Sequence, residues 1–132
     1  MNIYLDIDGV LITNSGQPSP HIYEFLKYVT SEYNCIWLTT HCRDGNAENP
    51  YNYLSDVLPD CREFMKKIKP TTWDILKTEG IDFDQDFIWL DDYLMQSEEK
   101  VLTEKNAIHK FYKINLKENP HQLMEVLESL KD

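Results

Sequence analysis

Cysteine is scarce in this chain: there are three in 132 residues, Cys35, Cys42 and Cys61, an odd number with no close paired spacing. That excludes a disulfide framework of the kind small secreted domains use, and the lack of a Cys–His cluster excludes a zinc site. Cys35 lies in an apolar run and reads as core, and Cys42 lacks the Cys–His–Asn setting of a nucleophile. Positive charge is also short, with 13 Lys and Arg against 23 Asp and Glu and a formal net charge of −10. Such a surface repels polyanions over most of its extent, so extended nucleic-acid binding is disfavoured, while a local patch can still hold an RNA or DNA end. No apolar run approaches the roughly 20 residues that span a bilayer, and the N-terminus enters a strand pattern with neither a basic leader nor a cleavage site. The expectation is a cytoplasmic protein with no membrane partner. Linkers and internal repeats are missing too, which predicts one domain over residues 1–132.

What is present is enough for one core, with 42% hydrophobic and 12% aromatic residues. Four apolar segments carry a sheet signal: Ile3 to Ile7, Cys35 to Leu38, Phe87 to Leu90, and a looser one from Ala107 to Leu116. The first three are too short and too uniformly apolar for amphipathic helices, and read as strands buried on both faces. Ser19-Pro20 resembles an N-cap and first-turn pair ahead of the stripe Ile22, Phe25, Leu26 and Val29. Asn119-Pro120 repeats the device ahead of Leu123, Val126, Leu127 and Leu130. A third helix is predicted after Pro70, with Thr71 and Asp74 at capping-box spacing, Trp73, Leu76 and Lys77 in its turns, and an end near Gly80. Tyr53, Leu54, Val57 and Leu58 suggest a further helix, Phe64 to Ile68 reads as helix or strand, and Tyr93 to Lys105 as a polar helix or loop. Strands alternating with helices predict an α/β fold: a three-layer, Rossmann-like sandwich around a mainly parallel sheet.

Polar residues interrupt this pattern in telling places. In a parallel α/β sheet ligands bind at the carboxyl ends of the strands, and the first three apolar runs lead into Asp6, into Thr39, and into Asp91-Asp92. Asp6, Asp8, Asp91 and Asp92 brought together would repel one another and raise their pKa values unless a cation compensates. A hard divalent ion that shares its oxygens with substrate phosphate suits such a partial cage, which points to Mg2+. A carboxylate beside it can attack phosphorus, and Asp6 is the candidate nucleophile. Asp8, two residues on and followed by Gly9, is placed to protonate the leaving alcohol and then to activate water. Thr39 can donate to a phosphoryl oxygen, with Gly9 and Thr40 as further substrate-binding candidates. Lys69, just ahead of Pro70, can neutralise the transferring group. Thr40 and His41 otherwise read as loop or cap residues, and Trp37, Trp73 and Trp89 as core.

Asp6-Ile7-Asp8-Gly9-Val10-Leu11, Trp37-Leu38-Thr39, Lys69-Pro70 with Asp74-Ile75, and Trp89-Leu90-Asp91-Asp92 resemble, in order, the four motifs of the haloacid dehalogenase superfamily. The resemblance implies Mg2+ held by Asp6, the Asp8 backbone carbonyl, Asp91 and Asp92, and phosphate-ester hydrolysis through an aspartyl-phosphate. Lys77 is an alternative to Lys69 as the third-motif lysine, and Asp91 and Asp92 divide the metal ligation between them. Asp8 supplies the acid/base that phosphoryl-transfer members need, which argues against dehalogenation.

Residues 11–34 and 41–68 leave little room for the cap domain that the family often inserts. An uncapped site suits a phosphate on something large, a polynucleotide end or a phosphoprotein, as well as a nucleotide or other small ester. The strings Trp-Leu-Thr-Thr and Trp-Leu-Asp-Asp also look like small phosphatase domains of RNA-repair proteins, for which His41, Arg43, Arg62, Lys66, Lys67 and Lys69 offer a local basic patch or simply a solvated face. Two alternatives stand beside the enzyme: a phosphoreceiver-like signalling domain and a non-catalytic module that keeps fold and metal. Receivers place their acidic pair on the first strand, whereas here the paired acids come last.

Overall fold

The computed structural model describes residues 1–132. In chain order its elements are β1 (Asn2–Leu5), α1 (Ile22–Glu32), β2 (Asn34–Trp37), α2 (Glu48–Leu54), α3 (Arg62–Met65), β3 (Phe87–Asp91), α4 (Gln96–Glu104), β4 (Phe111–Lys113) and α5 (Gln122–Lys131). The strands form one sheet in the order β2-β1-β3-β4, and every pairing is parallel. No helix is long and apolar enough to cross a membrane.

Strand side chains alternate between two cores, as the pleat requires. Ile3, Leu5, Ile88 and Leu90 face a large cluster built with Phe25, Leu26 and Val29 of α1 and with Leu123, Val126 and Leu127 of α5. Tyr4, Phe87 and Trp89 face a smaller one completed by Leu102 of α4 and Ile81. Each fully buried Leu or Phe in these stripes contributes about 1.5–3 kcal/mol relative to exposure. Helices on both faces of a parallel sheet make the three-layer, Rossmann-like architecture. The stretch 41–68 holds only α2, the 3-10 turn Pro59–Cys61 and α3, so there is no sizeable cap.

Three local expectations are corrected. Ser19 is not a side-chain cap: its hydroxyl donates to the Val10 carbonyl at 2.6 Å, its own carbonyl receives the Ile22 N–H, and the helix starts at Ile22. Asn119 likewise offers its carbonyl to Gln122 while its side-chain amide reaches Glu125. The helix expected after Pro70 does not form. Thr71 spends its hydroxyl on the Trp37 carbonyl at 2.6 Å, tying the chain to the end of β2 rather than capping a turn, and only a 3-10 turn, Lys77–Gly80, follows. Lys69 explains the detour: its N–H donates to Cys35 and its carbonyl receives the Trp37 N–H, so the segment runs extended beside β2 until Pro70.

Candidate active site

Register decides what meets at the carboxyl edge. Leu5 pairs with both Trp37 and Leu90, so the next residue, Asp6, emerges level with Asp91, its N–H donating to the Leu90 carbonyl at 3.1 Å. Asp92 follows, and carboxylate oxygens of Asp6, Asp91 and Asp92 lie within 4.8 Å of one another. Asp92 packs onto Gly9, where a Cβ would come 2.4 Å from its Oδ2; with φ at +81° this position suits glycine on both counts.

The cation beside this cluster is Lys77. Its Nζ donates to Asp91 Oδ2 at 2.7 Å and lies 3.4 Å from Asp6 Oδ1, with both carboxylates almost entirely buried. Burial opposes the ammonium charge, but the attraction of Asp6 and Asp91 and its hydrogen bonds to both outweigh it, so its pKa lies above the ordinary lysine value. Asp91 is pushed up to about 8, chiefly by burial and then by the charge of Asp6, with Lys77 pulling the other way. Lys69 is corrected here. It sits level with Ile36, below the carboxyl edge, with an exposed side chain, and it takes no part in the cluster.

Lys77 is aimed by a residue with no role in the sequence reading. Glu98, 2% exposed near the start of α4, accepts the Lys77 N–H at 2.9 Å through Oε2 and the Met95 N–H at 3.1 Å through Oε1. Glu79 secures the same turn by accepting the N–H groups of Ile75 and Leu76.

Asp8 is held apart from the three clustered acids. Its Oδ2 is 2.9 Å from His41 Nε2, and its Oδ1 accepts the Tyr53 hydroxyl at 3.0 Å, a bond that is the first cause of the raised Tyr53 pKa. The Asp8 side chain, expected as a metal ligand, is thus not among the clustered carboxylates, and its backbone carbonyl accepts no hydrogen bond. Thr39 is fully buried at the end of β2, its Oγ1 receiving the His41 N–H at 3.3 Å, while Thr40 is exposed on the wall of the cavity.

That cavity, about 430 Å³, holds Asp6, Asp8, Lys77, Asp91 and Asp92 at its base. Its rim includes the exposed Ile75 and Tyr93 and the half-buried Trp73, which packs against the smaller core as expected while also lining the cavity. The Arg43 guanidinium lies 4.6 Å from the Trp73 ring centroid. Gly9 and Asp92 also border an adjoining groove of about 710 Å³ containing Lys113 and Lys117. Arg62 and Lys66 lie elsewhere, engaged with Asp56 and Glu63. All three cysteines are buried free thiols; burial raises Cys42 and pushes Cys35 up to about 12, which leaves no reactive thiolate. The chain matches no family model, no protein of curated function and no solved structure.

Of the residues now at the site, His41 was visible in the sequence as a loop residue directly after Thr39-Thr40, and Tyr53 as part of an apolar stripe. Neither carried a signal that it would reach Asp8. Glu98 had only its place three residues after Met95, the spacing of a helix-capping acid.

Proposed function

We propose that this chain is a magnesium-dependent phosphohydrolase of the cytoplasm that works through an aspartyl-phosphate on Asp6. The observation that carries this reading is the juxtaposition of Asp6, Asp91, Asp92 and Lys77 at the carboxyl edge of β1 and β3, with a separate carboxylate, Asp8, two residues beyond Asp6. The donor set fits magnesium: three carboxylates and the unpartnered Asp8 carbonyl are all hard oxygen ligands, with no nitrogen or sulfur among them. Asp6, Asp91, Asp92 and that carbonyl would hold the ion. Once bound, it supplies positive charge against the phosphoryl oxygens.

The protein's own groups account for the bond changes. Asp6 attacks phosphorus, a new Asp6 oxygen–phosphorus bond forms, and the bond to the leaving oxygen breaks. Asp8 gives that oxygen its proton. Water then attacks the aspartyl-phosphate and gives its proton to Asp8; inorganic phosphate departs and the Asp6 carboxylate is restored. Lys77, in place of Lys69, pairs with Asp6 and offsets charge on the transferring group. The rim of Trp73, Ile75 and Tyr93 receives the leaving group, and the lack of a cap admits a phosphate on a polynucleotide end or phosphoprotein as readily as on a nucleotide or small ester.

The test is phosphate release from an aryl phosphate. It should need magnesium, stop with chelator, and fall to background in Asp6→Asn; undiminished turnover by Asp6→Asn overturns the reading. Phosphorylated oligonucleotides, phosphopeptides and nucleotides compared side by side then assign the substrate class.

A further inference from the structure

Asp8 has a half-exposed side chain, yet both of its oxygens are claimed by side chains distant in sequence. An exposed carboxylate ordinarily samples several rotamers, so two simultaneous partners indicate that its direction is being fixed. The two partners are themselves coupled. The rings of His41 and Tyr53 stack with centroids 3.9 Å apart and planes 22° from parallel. Each is anchored from behind: the His41 N–H is bound to the buried Thr39 hydroxyl, and Tyr53 precedes Leu54, whose full burial seats α2 on the main core. Tyr53 itself remains 47% exposed, so packing does not account for its position. A carboxylate has about four lone-pair sites, and the clamp occupies two, which leaves capacity for a proton acceptor or donor in the cavity.

We propose that His41 and Tyr53 are positioning residues: a stacked clamp that holds Asp8 away from Asp6, Asp91 and Asp92 and aims it at the leaving oxygen. The inference rests on the phosphohydrolase reading above and adds two residues to it. Proton transfer depends on donor–acceptor distance, so a loosened Asp8 slows the first step, phosphoryl transfer to Asp6, in proportion to how much the leaving group needs its proton. A nitrophenolate departs without one. A simple alkoxide does not.

The experiment compares nitrophenyl phosphate with a simple alkyl phosphate in Tyr53→Phe, His41→Ala and His41→Gln. Tyr53→Phe keeps the stacking ring and removes only the hydroxyl. Both Tyr53→Phe and His41→Ala should lower kcat/KM, which reports phosphoryl transfer to Asp6 and not the later hydrolysis common to both esters, about 10- to 100-fold on the alkyl ester, with little loss in kcat/KM on the nitrophenyl ester. His41→Gln, whose amide can still donate to Asp8, should recover part of the alkyl rate. Equal losses in kcat/KM on the two esters, or no loss, in a protein that Asp6→Asn and Asp8→Asn both inactivate would overturn the clamp and leave the phosphohydrolase reading intact. Turnover that survives Asp6→Asn would instead remove the reading and the clamp's role with it. A second measurement does not depend on turnover: the His41 ring-nitrogen resonances should move on Asp8→Asn while those of His109 stay fixed, and an unmoved His41 overturns the contact.

Discussion

Two lysines separated by eight positions test the site at the scale of single residues. Lys69 stands in the motif-like Lys-Pro pair, but its backbone is consumed by bonding along β2 and its side chain is exposed below the carboxyl edge. Lys77 is nearly buried between Asp6 and Asp91. Removing the one cation in the carboxylate cluster should cost about 100-fold or more in turnover, the size found for a lost transition-state donor. Lys77→Met is therefore expected to be nearly inactive and Lys69→Met close to wild type in the same aryl phosphate assay; the reverse ranking would restore the motif reading. Asp6, Asp91 and Asp92 were legible because each interrupts or directly follows an apolar strand, whereas the turning of the Asp8 side chain to His41 and Tyr53 was not. The lysine was not, because its place depends on how an irregular segment crosses the sheet edge, and no local pattern encodes that path.

At the scale of elements, legibility followed burial. β1 and β3 are enclosed on both faces and read as continuous apolar runs, and the stripes of α1 and α5 recur at helical spacing, buried throughout except for the partly covered Leu130. The segment from Pro70 to Leu76 misled because Thr71 and Asp74 have capping spacing, while tertiary bonding of the Thr71 hydroxyl to Trp37 and Cys42 claims the cap. What replaces the helix is a short turn held from outside by α4. Glu98 satisfies two N–H groups, those of Lys77 and Met95, from a nearly dry position. Glu98→Ala leaves both without an acceptor and should cost about 1–3 kcal/mol in urea unfolding at unchanged m-value. Glu98→Gln keeps one amide oxygen as acceptor and should lose less. Because the Lys77 turn loosens with it, Glu98→Ala should also lower kcat; full activity at reduced stability would separate the brace from the site.

For the molecule as a whole, the buried carboxylates make stability depend on pH, and the proposed metal site would add a dependence on divalent ions. The folded pKa of Asp91 is pushed up to about 8 from an ordinary value of 3.8. Between those values the folded chain retains a proton that the unfolded chain has released, so the native state binds more protons and stability falls as pH rises. This contribution is fully present below the unfolded value and is lost as pH climbs through the folded one. A divalent ion binding only the native cluster reverses the penalty by mass action, and it competes with the proton on Asp91. Thermal unfolding in chelator and in magnesium chloride, at pH 5 and at pH 8, should therefore give an upward shift in Tm that is larger at pH 8. Sodium chloride at matched ionic strength controls for simple screening of the net charge of −10, which acts over roughly 10 Å at 0.1 M and should yield only a small shift. Substituting Asp92 by Asn should shrink the magnesium shift without abolishing folding, because Asp92 is the least buried of the three acids. A shift equal in magnesium and in sodium, or larger at pH 5, would mean that the carboxylates are balanced by Lys77 alone and hold no divalent ion.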